Sequence, residues 1–332
     1  MQPAQRTKYK WASISLIVSI LLMMVKFAAW WVTSSTAILT DALESIINVI
    51  ASGFALYSIY LSGQPRDRNH PYGHGKIEFF SSGFEGALIL SAGVFIGIQA
   101  IRSFAVPHPI SNLDWGLALV ALTTGLNAAV GWLLMLNGER THSLTLIADG
   151  KHLLTDSLSS LFIVIGVGVI LLTGYYWIDS LLSLLMALFI VYNGFGLVRQ
   201  SISGLMDETD LPLLRRIVDV LNQNKQNNWI DVHNLRVQRY GSDMHVDCHL
   251  TLPYYWDLTT VHSEVRQFED VLKAETPGEL EVFIHADPCL QECCHYCRVE
   301  NCPVRAHVFV QDVKWTVANI STNQKHFVPI EN

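Results

Sequence analysis

The sequence predicts an α-helical membrane protein with six transmembrane helices, followed by a C-terminal cytosolic α+β domain in the order α-β-β-α-β. Three observations predict it. Half of the 332 residues are hydrophobic, only 15% are charged, and the mean hydropathy is +0.29. The apolar residues concentrate in residues 11–200, in runs matching the roughly 20 helical residues that cross about 30 Å of hydrocarbon. Beyond residue 200 the chain becomes polar, and its apolar spacing follows amphipathic helices and alternating strands. The net charge of −7 excludes a basic nucleic-acid binder, so no nucleic-acid partner is expected.

The six spans are expected at 11–33, 36–62, 79–104, 114–136, 144–173 and 176–200. The opening "MQPAQRTKYKWAS" is basic. The apolar run behind it is too long for a signal-peptide core and has no small-residue cleavage site, so the first helix is expected to stay in the membrane. The loops sort by charge. Arg6, Lys8 and Lys10 precede the first span; Arg66, Arg68 and Lys76 join the second to the third; Arg140 lies between the fourth and fifth, and Arg199 ends the sixth. The alternate loops "TSS", "AVPHPISNLD" and "TGYYWID" carry neither Lys nor Arg. The positive-inside rule then puts both termini, and everything after residue 200, in the cytoplasm.

In the soluble half, "DLPLLRRIVDVLNQN" reads as an amphipathic helix. "VHNLRVQRYG" and "MHVDCHLTLP" alternate as strands about a "YGSD" turn. "DLTTVHSEVRQFEDVLKAE" has helical periodicity behind a capping Asp, and "LEVFIHADP" is the last strand. These bounds give a membrane domain over 1–204, an α+β domain over 205–288, and a Cys-rich, weakly patterned tail over 289–332.

Ionisable groups at bilayer depth are expensive and usually functional. The second span offers Asp41, Glu44 and Asn48; the fifth offers His152 and Asp156. Glu44/Asn48 and His152/Asp156 are each spaced i,i+4, so each pair shares one helical face. The four side chains supply three strong metal ligands and one weak oxygen donor, a set suited to a tetrahedral divalent ion such as Zn²⁺. The competing reading is interhelical hydrogen bonding that only holds the bundle together. Asp41 reads equally as an exit-side ligand or a helix-start residue, and Lys26 and Glu85 are expected to pair inside the bundle. The loop "DRNHPYGHGK" groups Asp67, His70 and His74, a ligand cluster or a polar turn shaped by Pro71, Gly73 and Gly75. His233, His249, His262, His285 and Asp287 fall on four successive soluble elements, while His245 reads as an exposed strand residue and Cys248 as core.

The six spans with paired ligands on the second and fifth, the "HPYGHGKIE" loop, "HLLTD" in the fifth span and the closing "IHADP" resemble the cation diffusion facilitator family of metal/proton antiporters. The resemblance covers about residues 10–288. It implies a homodimer in a bacterial inner membrane, with a metallochaperone-like cytosolic domain, divalent metal ions (Zn²⁺ first) as cargo, and protons as the exchanged ion. It also implies roles residue by residue. Glu44, Asn48, His152 and Asp156 fall on the transport-site positions. Asp67, His70 and His74 fall on a loop site that some members use. His233, His249, His262, His285 and Asp287 fall on a cytosolic two-metal cluster near the dimer interface. Lys76 and Asp207 match a charge pair that interlocks the subunits.

The sequence departs from the zinc members at the second span, where Glu44 and Asn48 stand in place of Asp or His followed by Asp. An amide is a poor Zn²⁺ ligand. Imidazole favours Zn, Fe, Co or Ni, and Mn²⁺ leans on oxygens. Zn²⁺ stays first, with Fe²⁺, Mn²⁺ and Co²⁺ as alternatives. The rival reading is a membrane-anchored metal sensor with little or no transport; an enzyme is not expected, because no nucleophile or catalytic motif accompanies the ligands. The tail adds Cys289, Cys293, Cys294, Cys297 and Cys302. In a reducing compartment these suit a thiolate-bound metal or an Fe–S centre better than disulfides.

Overall fold

Six helices of 27 to 31 residues form the first unit of this computed structural model. The model describes residues 3–33, 36–105, 114–173, 177–241, 243–275 and 280–327. The helices are α1 (Pro3–Thr33), α2 (Thr36–Ser62), α3 (Ile77–Ala105), α4 (Asp114–Thr141), α5 (Leu144–Thr173) and α6 (Trp177–Leu205). The unit ends at Met206, and the second unit covers Asp207–Asn332. α1 starts well before the expected span, and α4 and α6 run past theirs. The basic start is helical because Lys8 is buried in an ion pair with Glu78 of α3.

The first unit is polar inside and apolar outside. Ile17, Leu21, Phe95, Ile98, Leu185, Leu188 and Phe189 are exposed, while Ser15, Ser52, Glu85, Asp149 and His152 are buried. That inversion suits a hydrocarbon solvent, where polar side chains face the bundle interior. Among the described residues, α1, α2, α3 and α6 each hold a stretch long and apolar enough to cross a membrane. Small residues let the helices approach closely. A Cβ on Gly194 of α6 would lie 2.9 Å from the Leu90 amide nitrogen of α3, and one on Gly150 of α5 would lie 2.8 Å from the Gly131 carbonyl of α4.

The second unit begins with α7 (Leu211–Gln223), whose first turn is capped by the Asp210 carboxylate accepting from the Leu213 amide at 3.0 Å. Its apolar stripe, including Leu214, Ile217 and Leu221, enters a core with Trp229, Val246, Phe268 and Leu272. Strands β1 (Asp231–Tyr240), β2 (Asp243–Leu252) and β3 (Leu280–Pro288) form a sheet in the order β1-β2-β3. β1 and β2 are antiparallel, turning at Gly241 with φ of 67°. β2 and β3 are parallel, and α8 (Leu258–Glu275) makes the crossover that parallel strands require. The register shifts between His233 and Arg236, where Asn234 takes φ of 53° and donates its amide to Thr322 O at 2.7 Å.

Residues 289–327 pack onto this sheet. A 3₁₀ turn (Gln291–His295) is followed by extended chain and the short α9 (Val317–Ile320). Trp315 and Ile320 are fully buried in the same core as the sheet. The irregular chain is tied down by Asn222 Nδ2 donating to Trp315 O at 2.8 Å and Lys225 Nζ to Val313 O at 2.7 Å.

Candidate metal centres

In the helical unit the second and fifth helices meet through side chains. Asn48 Nδ2 donates to Asp156 Oδ2 at 2.9 Å, and His152 Nε2 lies 3.0 Å from Asn48 Oδ1. The amide bridges imidazole and carboxylate. His152 Nε2 is also 3.9 Å from Asp156 Oδ2. Asn48 and His152 are buried. Glu44 lies one helical turn before Asn48 on α2, but its side chain, like that of Asp41, is outside the described residues.

Two further polar layers lie toward the end of the bundle where α2 stops and α3 and α5 begin. In the first, Ser52 Oγ donates to Asp149 Oδ1 at 3.1 Å and contacts Ser15 and Ser19 of α1 at 3.2 and 3.4 Å. Glu85 of α3 is in electrostatic range of Asp149, and both of its oxygens lack a hydrogen-bond partner among the described residues. No hydrogen bond between Lys26 and Glu85, expected to pair, is among the described contacts. In the second layer Glu78 accepts from Lys8 Nζ at 2.8 Å, Ser143 Oγ at 2.6 Å and Ser62 Oγ at 3.2 Å. Asp149, one turn before His152, was legible as an acidic residue inside a span, yet sequence reasoning passed it over.

The loop between α2 and α3 folds around Asp67. Its Oδ1 accepts from the Asn69 and His70 amides at 2.8 and 2.7 Å, and His74 Nε2 lies 3.4 Å from Oδ2. The His70 amide, first among several donors, holds the Asp67 carboxyl below the usual range. The donor atoms of Asp67, His70 and His74 all lie within 4.8 Å of one another. Lys76 follows this loop, its carbonyl accepting from Phe79 and Phe80 at the start of α3.

On the sheet, register brings His233, His249 and His285 into one rung, with His233 opposite His249 and His249 opposite His285. Asp287 Oδ2 lies 3.3 Å from both His233 Nε2 and His249 Nδ1. These three residues gather their donor atoms within 4.8 Å. His285 sits exposed at the rim, 3.4 Å from Asp287 Oδ1. His262 is exposed on α8, and no described contact joins it to the cluster. His245, expected on the surface, is buried because Tyr240, 4.8 Å away between ring centroids, and its register partner Glu281, at 3.2 Å, cover its ring. Cys248 is core, and burial pushes its thiol up to about 12. The sequence did not reveal Asp231, fully buried beneath His233 and hydrogen-bonded to the ring and amide of His326, nor Lys325, 3.8 Å from Asp287. Asp207, between α6 and α7, takes φ of 57°.

Burial lowers the His233 pKa, and Asp231 and Asp287 oppose the shift. The unfolded chain protonates first, near the ordinary histidine value of about 6.5. Stability is therefore full above that value, falls as pH drops through it, and stops falling below the depressed folded value. The melting temperature of the chain is expected to fall between about pH 7 and pH 5, and to fall less in His233→Gln. Equal slopes in both proteins would remove His233 as the cause.

A helical membrane unit with polar side chains inside is followed by a small α+β unit that gathers histidines and an aspartate on its sheet, a two-part membrane protein with candidate metal centres. Residues 12–206 match the cation efflux transmembrane domain, and residues 212–289 match the cytoplasmic domain of cation efflux proteins. The chain belongs to the cation diffusion facilitator family of cation efflux transporters. It is 32% identical over 278 residues to the uncharacterized transporter sll1263 of Synechocystis sp., spanning 84% of this chain and 89% of that protein. It is 29% identical over 297 residues to the cation-efflux pump FieF of Yersinia pestis and to that of Yersinia pseudotuberculosis, spanning 87% of this chain and 95% of each.

Proposed function

We propose that the protein moves a divalent metal cation out of the cytoplasm in exchange for protons, with Zn²⁺ the preferred cargo and Fe²⁺, Mn²⁺ and Co²⁺ the alternatives. The observation that carries this reading is the Asn48–His152–Asp156 contact between α2 and α5, buried at Asn48 and His152. Glu44 completes the proposed site from the preceding turn of α2. Metal ligation needs a neutral imidazole and ionised carboxylates, so metal and protons compete for the same atoms. Imidazole is the side chain whose ordinary titration lies nearest neutral pH, which makes His152 the proposed proton carrier.

The loop cluster of Asp67, His70 and His74 is proposed as a second metal site at the membrane surface. His233, His249 and Asp287, with His285 and His262 as further donors, are proposed as a regulatory site that tightens a homodimer, with Lys76 and Asp207 as its intersubunit charge pair. The membrane is proposed to be a bacterial inner membrane with both termini cytoplasmic.

The test is transport into proteoliposomes with metal and pH recorded together. Metal uptake with opposite proton movement supports exchange, flux without a pH change sinks it, and no flux at all favours the sensor reading. Asn48→Asp is expected to shift the metal preference toward Zn²⁺ in competition assays, because an amide is a poor Zn²⁺ ligand and Asp is one of its usual ligands. Unchanged selectivity would put Asn48 outside the metal's ligand shell.

A further inference from the structure

The transport reading leaves the five cysteines after β3 unused. Cys289, Cys293, Cys294, Cys297 and Cys302 line one cavity of about 220 Å³, and none forms a disulfide. The chain is folded so as to keep them there. Cys289 donates its amide to Leu252 O at 2.9 Å, fixing it to the end of β2. The 3₁₀ turn Gln291–His295 presents the adjacent Cys293 and Cys294. The Arg305 guanidinium donates to the carbonyls of Cys294, Cys297 and Val299, at 2.7 Å for the last, so residues 294–299 curl around one cation.

A second observation points to a ligand. Leu290 N donates to Cys293 Sγ at 3.4 Å. A backbone amide aimed at sulfur stabilises a thiolate far more than a thiol, because the bond is charge-assisted. The thiolate is also the form that binds metal. Packing gives a need for such a tie. Cys289, Cys293, Cys297 and Cys302 share a small cluster with Ile230, Tyr296 and Val299, separate from the main core of the unit. So few apolar side chains hold an irregular segment weakly, and small folds of this kind are commonly stapled by a metal.

We propose that Cys289, Cys297, Cys302 and one of the adjacent pair Cys293 and Cys294 hold a single zinc-class cation as four thiolates, independently of the transport site and the histidine cluster. Two consecutive residues of a tight turn project differently, so one of that pair enters the sphere and its neighbour stays outside. Tetrahedral four-sulfur ligation is the closed, structural form of zinc site. The donor atoms of the loop and sheet clusters already lie within 4.8 Å of one another, whereas no three of the described cysteine sulfurs do; these line a shared cavity, and binding the ion requires their side chains to rotate inward.

The full chain in detergent, reduced and stripped of metal, is titrated with Cd²⁺, which reports thiolate ligation by an ultraviolet charge-transfer band. The background is His74→Ala, His152→Ala and His249→Ala, so that each of the other proposed sites loses a ligand. The expected result is a band that saturates at one Cd²⁺ per chain and protects four thiols from a thiol reagent. Cys248→Ser is expected to keep the band, and only one of Cys293→Ser and Cys294→Ser to lose a ligand. No band overturns the proposal, as does a band that survives Cys297→Ser with Cys302→Ser. Binding of several irons with sulfide, read as visible absorption, overturns the single-ion site. Circular dichroism of each variant separates lost ligation from lost folding. Because the proposal does not depend on flux, its failure leaves the transport reading intact.

Discussion

Replacing His152 with alanine is expected to lower metal flux in proteoliposomes by more than about 100-fold. Mutating only an outer partner of a metal ligand costs roughly 10- to 100-fold, so losing a ligand is expected to cost more. His152 supplies the only imidazole among Glu44, Asn48, His152 and Asp156, and it also holds Asn48 Oδ1 at 3.0 Å. Alanine therefore removes a donor and frees the bridging amide from one of its two partners. The measurement is initial flux at equal reconstituted protein. Flux within tenfold of the unaltered chain would place the transport site elsewhere. Asp156→Asn tests the same site from its other end, since Asn48 Nδ2 donates to Asp156 at 2.9 Å.

Lys8→Met is expected to destabilise the helical unit by about 3–5 kcal/mol, the cost of leaving one partner of a buried ion pair uncompensated. The Lys8 and Glu78 side chains are 2% and 1% exposed, so water cannot take over from the lost ammonium. Ser143 and Ser62 still donate to the Glu78 carboxylate, but neither brings a charge. Adding Glu78→Gln to Lys8→Met is expected to recover much of the loss, because a neutral amide can use the same serines. Unfolding in detergent measures both. A loss below about 1 kcal/mol, the range of exposed pairs, would mean that solvent reaches this layer.

The architecture was largely legible because its signals are local. Long apolar runs give the helices, and alternation about "YGSD" gives the hairpin. Helix ends were less legible. Lys8 reads as a solvated cation in any sequence window, and only Glu78, 70 positions away, explains its place inside α1. The i,i+4 spacing on α5 exposed His152 and Asp156. Asp149 shares that helix but is bound to Ser52 of α2, a partner that no spacing on α5 indicates. The tail was least legible. Trp315 lies in irregular chain and Ile320 ends the four-residue α9, segments too short to announce an element, yet both fill the core. His326 reaches Asp231 across 95 positions and so had no pattern to betray it.

The rung formed by His233, His249 and His285 has a consequence for assembly. It exists only in one alignment of the three strands, with His249 opposite both partners. Sliding β3 by one residue would carry His285 and Asp287 to the opposite face of the sheet, since strand side chains alternate. Such a chain would lose the Asp287 oxygen that sits 3.3 Å from two imidazoles. A cation bound there would lower the free energy of the correct alignment alone. The ion would then serve as a proofreader of strand pairing, rewarding properly threaded chains before any cargo is moved.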